Sequence, residues 1–276
     1  MDKNRAEWSK GYQSLVDRNI GLITVEQQER LRKTTVCVCG VGGIGSPAFE
    51  VLVRTGIGQF KIIDKDHFDP TNMNRQIYAF SDTVGRMKVD VAKEFAEKIN
   101  PEVVVECYTL VEESNIDAIL DGVDIVVLAI DELKPCLVIS RKAREMNIPL
   151  VEGWAIPYGN VRVFTSETPD LEEAYGLPTR GRSLSDISHE ELQKYGLEVL
   201  LSLGKIEGVA DFYTEEVIGK ISEGHITSFA PLAWLTSVMM ALETVKVVLN
   251  WGNIALGPKF TLYDQFMHKI PKISDL

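Results

Sequence analysis

Short apolar runs alternate along the first half of the chain with segments whose apolar residues recur every three or four positions. Continuous apolar runs are typical of strands covered on both faces of a parallel sheet, and the periodic segments predict helices between them. The predicted strands are 35–39, 60–63, 103–107, 124–130 and one that begins at 150–152. The predicted helices are 24–33, 45–55, 88–99, 116–120 and 135–146. This alternation predicts an α/β fold with a doubly wound, Rossmann-like, mostly parallel sheet.

The pattern changes after Trp154. Residues 160–165 predict a strand outside the alternation, and 166–224 is polar and acidic with two predicted helices, 189–203 and 214–221. We interpret 166–224 as a partly mobile, inserted crossover segment draped over the site, within a single domain of residues 1–276. A nearly all-apolar, buried helix is predicted at 231–249. Strands at 258–263 and 266–270 are predicted to form a closing hairpin around Asp264.

Composition and charge exclude several classes of protein. The chain is 45% hydrophobic and 25% charged, as expected of a soluble domain. A net charge of -11 argues against binding to nucleic acid or to a membrane surface, because phosphate-rich partners require a basic face. The longest apolar stretch, 229–249, is interrupted by Pro231, Glu243 and Lys246. No secretory leader follows Met1, so we expect a cytoplasmic protein without membrane contact.

The cysteines and histidines give no metal-binding pattern. None of the four cysteines belongs to a CxxC pair, so no structural zinc is expected. Cys37 and Cys39 alternate within an apolar strand and are predicted to be small buried residues, and a buried or incidental thiol is also the prediction for Cys136. The histidines are scattered without ligand spacing and are assigned no role: His67, His189, His225 and His268.

A glycine-rich loop connects the first predicted strand to the next helix. Its sequence is Gly40-Val41-Gly42-Gly43-Ile44-Gly45. In this context the helix N–H groups point at a phosphate, and the glycines let the backbone approach it closely. Asp64 ends the following strand, about twenty residues further on, where an acid commonly binds ribose hydroxyls. These features fit NAD-binding and ATP-binding proteins equally well.

Charged residues beyond the glycine loop favour chemistry on a nucleoside triphosphate. Arg75 lies in the loop Asn72-Met73-Asn74-Arg75-Gln76, Lys88 opens a helix and Asp131 ends the fourth strand. Ligands of open α/β sheets bind at the carboxyl ends of strands, so these side chains could converge. Attack on an α-phosphorus builds negative charge that Arg and Lys can offset, while an aspartate can hold Mg²⁺. Hydride transfer needs no such cationic cluster.

Taken together, these motifs resemble the ThiF/MoeB/HesA family, which includes the adenylating domain of ubiquitin-activating enzymes. The resemblance covers residues 12–165 and again 225–249. It implies an enzyme that uses ATP and Mg²⁺ to adenylate a carboxylate. The usual acceptor is the C-terminal glycine of a small ubiquitin-like or sulfur-carrier protein of the β-grasp fold, so the resemblance implies such a partner.

The resemblance also implies roles for individual residues. The phosphate loop would contain Gly40, Gly42, Gly43 and Gly45, and ribose would be bound by Asp64. The triphosphate would be contacted by Asn72, Arg75 and Lys88, and Mg²⁺ would be held by Asp131. An N-terminal arginine is donated across a homodimer in this family, and Arg18 stands at the matching position. Arg5 and Arg30 remain open as alternatives.

The chain departs from the family at its cysteines. Many members carry two zinc-binding CxxC pairs, and some carry a catalytic cysteine in the crossover segment. Residues 166–276 contain no cysteine. A covalent thioester step in the crossover segment is therefore not expected, and any reaction that follows adenylation needs another protein or a direct nucleophile.

Less specific interpretations stay open for several residues. Arg75 and Lys88 could be surface charges, Asp131 could cap the helix that starts near 134, and Asp66 is by default a solvated loop residue. Trp154 and Tyr158 could form a groove for a partner's tail or could simply pack in the core.

Three other functions also stay open. The chain could be an NAD-dependent oxidoreductase, supported only by the glycine loop and Asp64. It could be a nucleotide-binding scaffold without catalysis. It could also be a member of the same family that acts on a small molecule or on tRNA, like the cyclic threonylcarbamoyladenosine dehydratases.

Overall fold

The computed structural model describes residues 7–206, 209–223 and 227–267, and its described part is organised around a seven-stranded sheet. The strands are β1 Thr35–Cys39, β2 Gln59–Ile63, β3 Val104–Tyr108, β4 Ile125–Leu128, β5 Leu150–Glu152, β6 Gly159–Phe164 and β7 Thr261–Tyr263. Their order is β3-β2-β1-β4-β5-β6-β7. The first five are parallel, whereas β6 runs antiparallel to β5 and β7 antiparallel to β6. The predicted mostly parallel α/β fold is confirmed.

Helices cover both faces of this sheet. They are α1 Lys10–Val16, α2 Val25–Lys33, α3 Gly45–Arg54, α4 Lys88–Ile99, α5 Ile116–Leu120, α6 Leu133–Glu145, α7 Leu171–Ala174, α8 His189–Leu203, α9 Glu215–Ser222 and α10 Ala230–Leu249. The predicted capping box is present before α2, where the Thr24 hydroxyl accepts from the Gln27 N–H and the Gln27 side chain accepts from the Thr24 N–H. Local capping therefore sets where this helix begins.

The central strand β1 shows why the apolar runs are continuous. Val36 and Val38 point to the layer that contains α3 and α10, and Cys37 and Cys39 point to the opposite layer with α5 and α6. All four side chains are fully buried. Because β1 also pairs with β2 and β4 on its two edges, none of these four positions can be polar without burying an unpaired group.

Two predictions at the end of the chain are corrected. The strand predicted at 258–263 is only three residues long and pairs with β6, not with a following strand. Phe266 and Met267 lie in a turn, since their N–H groups both donate to the Asp264 carboxylate. Residues 268–270 of the predicted second strand lie outside the described residues. The free edge of β6 offers β7 a partner, which replaces the predicted hairpin.

Helix α10 is the longest helix of the described chain and is rich in apolar residues. By length and composition alone it could cross a membrane, but this is weak evidence because the core helix of a soluble protein passes the same test. Here it packs against β6 and α3, and more than half of its apolar window, 56%, is buried inside the protein. Ser237 on this helix donates to the Ile44 carbonyl, which ties α10 to the glycine loop.

Arginines of α6 hold the start of the crossover segment against the sheet layers. The Arg141 guanidinium makes two 2.8 Å bonds to the buried Glu172 carboxylate, and it also donates to the carbonyls of Thr179 and Arg182. Arg144 donates to carbonyls between residues 165 and 168. These bonds satisfy polar groups of a segment that has little regular structure of its own, so they fix its path.

Replacing Arg141 with alanine should destabilise the protein by roughly 3 kcal/mol, because the buried Glu172 carboxylate loses its bidentate partner. Equilibrium unfolding in urea measures the change. Lys194→Ala is the matched control, since Lys194 is exposed and lies 3.9 Å from Glu198, and it should change stability by less than about 0.5 kcal/mol. Equal, small effects of both substitutions would contradict this assignment.

Candidate functional site

The glycine loop makes a turn so tight that no side chain fits at Gly40 or Gly45. Gly40 has a φ of +89°, and an added Cβ would lie 2.4 Å from the Ala129 carbonyl oxygen. At Gly45 an added Cβ would lie 1.7 Å from the Gly40 carbonyl oxygen. The Gly40 N–H donates to the Ile63 carbonyl at 2.7 Å. The loop is therefore fastened between the ends of β1, β2 and β4, with the N-terminus of α3 directly behind it.

Beside this loop lies a cavity of about 430 Å³, a size within the usual range for small-molecule sites. It opens at the carboxyl ends of the strands, where the sheet topology places ligands. The predicted site residues that line it are Gly40, Gly42, Gly43, Asp64, Arg75, Lys88 and Asp131. Gly45 is not among the lining residues and lies behind the loop. Residues separated by more than ninety positions in sequence thus share one cavity.

Arg75 lies over the glycine loop. A Cβ added to Gly43 would come within 3.1 Å of the Arg75 Cγ, so the arginine stem covers that glycine. The guanidinium donates to the Asn74 side-chain oxygen at 2.7 Å and to the Thr71 carbonyl at 3.1 Å. Trp234 of α10 donates to the Arg75 carbonyl at 2.7 Å, which fixes the backbone. Burial lowers the pKa of Arg75, and Asp131 opposes that shift.

Lys88 and two aspartates form a charged cluster in the same cavity. The buried Lys88 Nζ lies 2.9 Å from Asp66 and 4.0 Å from Asp64. Asp64 also accepts hydrogen bonds from the N–H groups of Val41 and Asp66. Burial raises the pKa of Asp64, and Lys88 and these two N–H groups oppose the rise. Asp66 is an exposed loop residue, as its default interpretation has it, but it also lines the cavity and pairs with Lys88.

Asp131 extends into the cavity from the end of β4 and does not cap the next helix. Helix α6 begins at Leu133, two residues earlier than predicted, and no side chain caps it at Glu132. Burial raises the pKa of Asp131, with Glu132 and Asp66 adding to the rise. A cation there would relieve this accumulation of negative charge, and a carboxylate oxygen is a ligand that Mg²⁺ prefers. The described residues contain no cluster of three or more metal-binding side chains, so substrate oxygens and water would complete such a site.

Besides Gly45, two predicted residues do not line the cavity of this single chain. The buried Asn72 side chain accepts from the Asp69 N–H at 3.1 Å, as part of a short 3-10 turn. Arg18 is exposed in the turn Asp17–Asn19. Of the two alternatives to Arg18, Arg30 is exposed on α2, and Arg5 lies outside the described residues. A contribution from Arg18 or Arg30 to the cavity would need a second copy of the chain.

The cavity also contains residues that sequence reasoning missed. Lys65 and Lys134 line it. Lys65 follows Asp64 by one residue and Lys134 follows Asp131 by three, so the convergence of strand ends could have identified both lysines. His189 opens α8 and also lines the cavity. No local pattern marks it, because only the fold of the crossover segment brings it to the site. His225 and His268 lie outside the described residues.

One wall of the cavity is apolar. Trp154, Leu200, Leu203 and Tyr213 line it and pack in one hydrophobic cluster. Tyr158 is buried in that cluster and does not line the cavity, as expected of a residue that packs in the core. Trp154 does line the cavity, so the interpretation as part of a groove for a partner stays open for Trp154 alone. The remaining wall carries the charged groups described above. The site therefore combines a polar side suited to phosphates with an apolar side suited to a second molecule.

Several characterised proteins are similar to this chain in sequence. The chain is 38% identical to a tRNA threonylcarbamoyladenosine dehydratase of Bacillus subtilis over 49% of this chain and 54% of that protein. It is 33% identical to the enzyme of the same name from Escherichia coli, over 72% of each. A molybdopterin-synthase adenylyltransferase of Haemophilus influenzae is 25% identical over 91% of this chain and 89% of that protein. The chain spans about half the length of the first curated relatives that it matches.

Solved structures confirm the fold. A crystal structure of PaaA superposes with a TM-score of 0.69 at 18% identity, covering 98% of this chain and 74% of that one. The E. coli tRNA N6-threonylcarbamoyladenosine dehydratase TcdA, crystallised in complex with AMP, superposes with a TM-score of 0.60 at 24% identity, covering 87% and 97%. At these identities the likeness concerns the fold alone.

The family model described as "ThiF family" matches residues 16–275, which is nearly the whole chain. Its extent agrees with the motifs from the glycine loop to Asp131 and with the sheet that brings them together. The chain therefore belongs to the ThiF family.

Proposed function

We propose that this chain is an ATP- and Mg²⁺-dependent adenylyltransferase that activates a carboxylate. The observation that carries the proposal is the convergence of Arg75, Lys88 and Asp131 on the glycine loop in a single cavity. An NAD-dependent oxidoreductase needs no such cluster of charges, and relatives of the chain are named adenylyltransferases. A silent scaffold would have no use for two cations and an acid held in this arrangement.

In the proposed reaction a carboxylate oxygen of the acceptor attacks the α-phosphorus of ATP. The bond between the α-phosphorus and the bridging oxygen breaks, and pyrophosphate leaves with that electron pair. Arg75 and Lys88 offset the charge that develops on the phosphoryl oxygens and on pyrophosphate. The acceptor carboxylate is already deprotonated near neutral pH, so no general base is required. Mg²⁺, held by Asp131, would supply further charge neutralisation on the triphosphate.

The proposed acceptor is the C-terminal glycine of a small ubiquitin-like or sulfur-carrier protein of the β-grasp fold. Relatives named sulfur carrier protein adenylyltransferase and SAMP-activating enzyme E1 support this choice. The second candidate is a carboxylate carried by a tRNA, favoured by the E. coli tRNA threonylcarbamoyladenosine dehydratase, which matches over 72% of both chains. The net charge of -11 weighs against a tRNA partner, because a tRNA backbone needs a basic surface.

We also propose that the protein acts as a homodimer in which Arg18 reaches the partner's cavity. Helix α10 presents an apolar stripe at four-residue spacing, with Trp234, Val238 and Leu242 exposed at 39%, 49% and 51%. The stripe adjoins the site, because Trp234 donates to the Arg75 carbonyl. A second copy that covered this stripe would lie beside the cavity. Its own Arg18, which is exposed and does not line the cavity of its own chain, would be available to reach it.

Alanine at Arg75 or at Asp131 should lower the rate of ATP–pyrophosphate exchange by roughly a hundredfold or more, because each substitution removes charge stabilisation of the transition state. The urea midpoint of both variants should stay close to that of the parent protein. Arg86→Ala, which removes an exposed arginine paired with Glu94, is the matched control and should exchange normally. Unchanged exchange in both site variants would refute the site assignment.

A mixture of two inactive variants tests whether Arg18 acts across a dimer. Arg18→Ala and Asp131→Ala should each be inactive alone. In a randomly mixed dimer one of the two sites regains both groups, so activity should return to about a quarter of the parent value. Sedimentation velocity of the same samples reports the assembly. No recovery in a mixture that forms dimers would show that Arg18 does not act in trans.

A further inference from the structure

Arg162 on β6 is a buried cation in an aromatic surround. Its side chain has no exposed surface, and its Nε donates to the Glu152 carboxylate at 2.6 Å. The guanidinium carbon lies 4.1 Å from the ring centre of Phe260, 4.4 Å from that of Tyr175 and 4.8 Å from that of Phe164. Placing an ion pair at such a depth is costly, and well-packed apolar residues commonly serve stability as well or better.

The other Glu152 oxygen continues the network toward the cavity. It accepts from the Tyr175 hydroxyl at 3.0 Å, and that hydroxyl accepts from the Trp154 indole N–H at 2.7 Å. Burial raises the pKa of Tyr175, so its hydroxyl stays protonated and remains a donor. The donors are thus ordered from Trp154 to Tyr175 to Glu152, and Arg162 supplies the opposite charge at the far end.

This network joins the paired strands β5 and β6 to the crossover segment and to the apolar wall. Glu152 and Arg162 belong to the neighbouring strands β5 and β6, Tyr175 follows α7 in the crossover segment, and Trp154 forms part of the apolar wall. Glu152 itself also lines the cavity. The orientation of the indole therefore depends on a hydroxyl that the crossover segment brings.

We propose that Glu152, Arg162 and Tyr175 are positioning residues that fix the Trp154 indole as a wall of the cavity and hold the crossover segment against that wall. If the acceptor of the proposed reaction binds against this wall, that assignment rests on the proposed function, but the positioning itself does not. The inference predicts that the crossover segment and the wall open together when the Tyr175 hydroxyl is removed.

A thiol behind the wall reports such opening. Cys136 is buried and, with Trp154, Tyr175 and Glu152, lines a second cavity of about 20 Å³. Cys37 and Cys39 are fully buried in β1, whereas Cys107 is half-buried and is replaced by serine to remove its background reaction. Alkylation by iodoacetamide, quantified peptide by peptide with mass spectrometry, then distinguishes opening at the wall from opening of the core.

In the Cys107→Ser background, Tyr175→Phe should raise the alkylation rate of Cys136 by roughly tenfold, since two hydrogen bonds that hold the wall are lost. The rates at Cys37 and Cys39 should not change. The matched control is Tyr195→Phe on α8 of the same segment, because the Tyr195 hydroxyl has no hydrogen bond within the described part of the chain. The Trp154 indole N–H resonance should shift in Tyr175→Phe and not in the control.

The outcomes separate this inference from the proposed function. Alkylation of Cys136 at the control rate, with an unmoved indole resonance, would overturn the positioning role, and so would a parallel rise at all three thiols. If Tyr175→Phe does not fold, Trp154→Phe removes the same indole donor and should give the same selective rise at Cys136. Calorimetry with ATP on the parent protein tests the proposed function independently, since absence of binding there leaves the alkylation result unaffected.

Discussion

The site depends on the contact between Gly45 and the carbonyl oxygen of Gly40. No side chain fits at Gly45, so the start of α3 can approach the end of β1 more closely than any other residue type would permit. The same turn brings Gly40 against Ala129 at the end of β4 and leaves Gly43 open for the Arg75 stem to cover. Every charged group of the cavity is positioned relative to this turn, and the parallel sheet brings the other strand ends to it.

Electrostatics gives the cavity two distinct sides. On the charged side Lys88 is held between Asp64 and Asp66, and Asp131 is close enough to Arg75 to act on the pKa of its guanidinium, so cations and acids share one side of the cavity. Burial raises the pKa of both Asp64 and Asp131, so their carboxylates gain from a cationic partner. On the other side the apolar wall is formed by uncharged side chains, and Glu152, which also lines the cavity, is paired with the buried Arg162. A nucleotide and a second reactant could therefore occupy different environments within one cavity.

Sequence alone predicted the sheet and the glycine loop because both are encoded locally. A strand buried on both faces must be apolar throughout, and a loop that excludes Cβ atoms must contain glycine. Arg75, Lys88 and Asp131 could be found because strand ends and helix starts converge in this topology.

Other parts of the site could not be predicted from the local sequence. Some depend on which of several local hydrogen bonds a side chain makes, and others depend on contacts between distant segments. The Asn72 side chain makes a hydrogen bond within a 3-10 turn. Strand β7 pairs with β6 because the edge of β6 was free. His189, Tyr175 and Tyr213 reach the site or its wall only through the path of the crossover segment. That path is set by Arg141 and Glu172, which lie 31 residues apart and carry no sequence motif.

The most direct test of the central claim is ATP–pyrophosphate exchange by the parent protein with Mg²⁺, measured with no acceptor, with candidate ubiquitin-like proteins and with tRNA from the same cell. The account predicts exchange that depends on one acceptor, which would establish adenylation and identify the substrate class together. Absence of ATP binding, together with binding of a nicotinamide nucleotide, would contradict it.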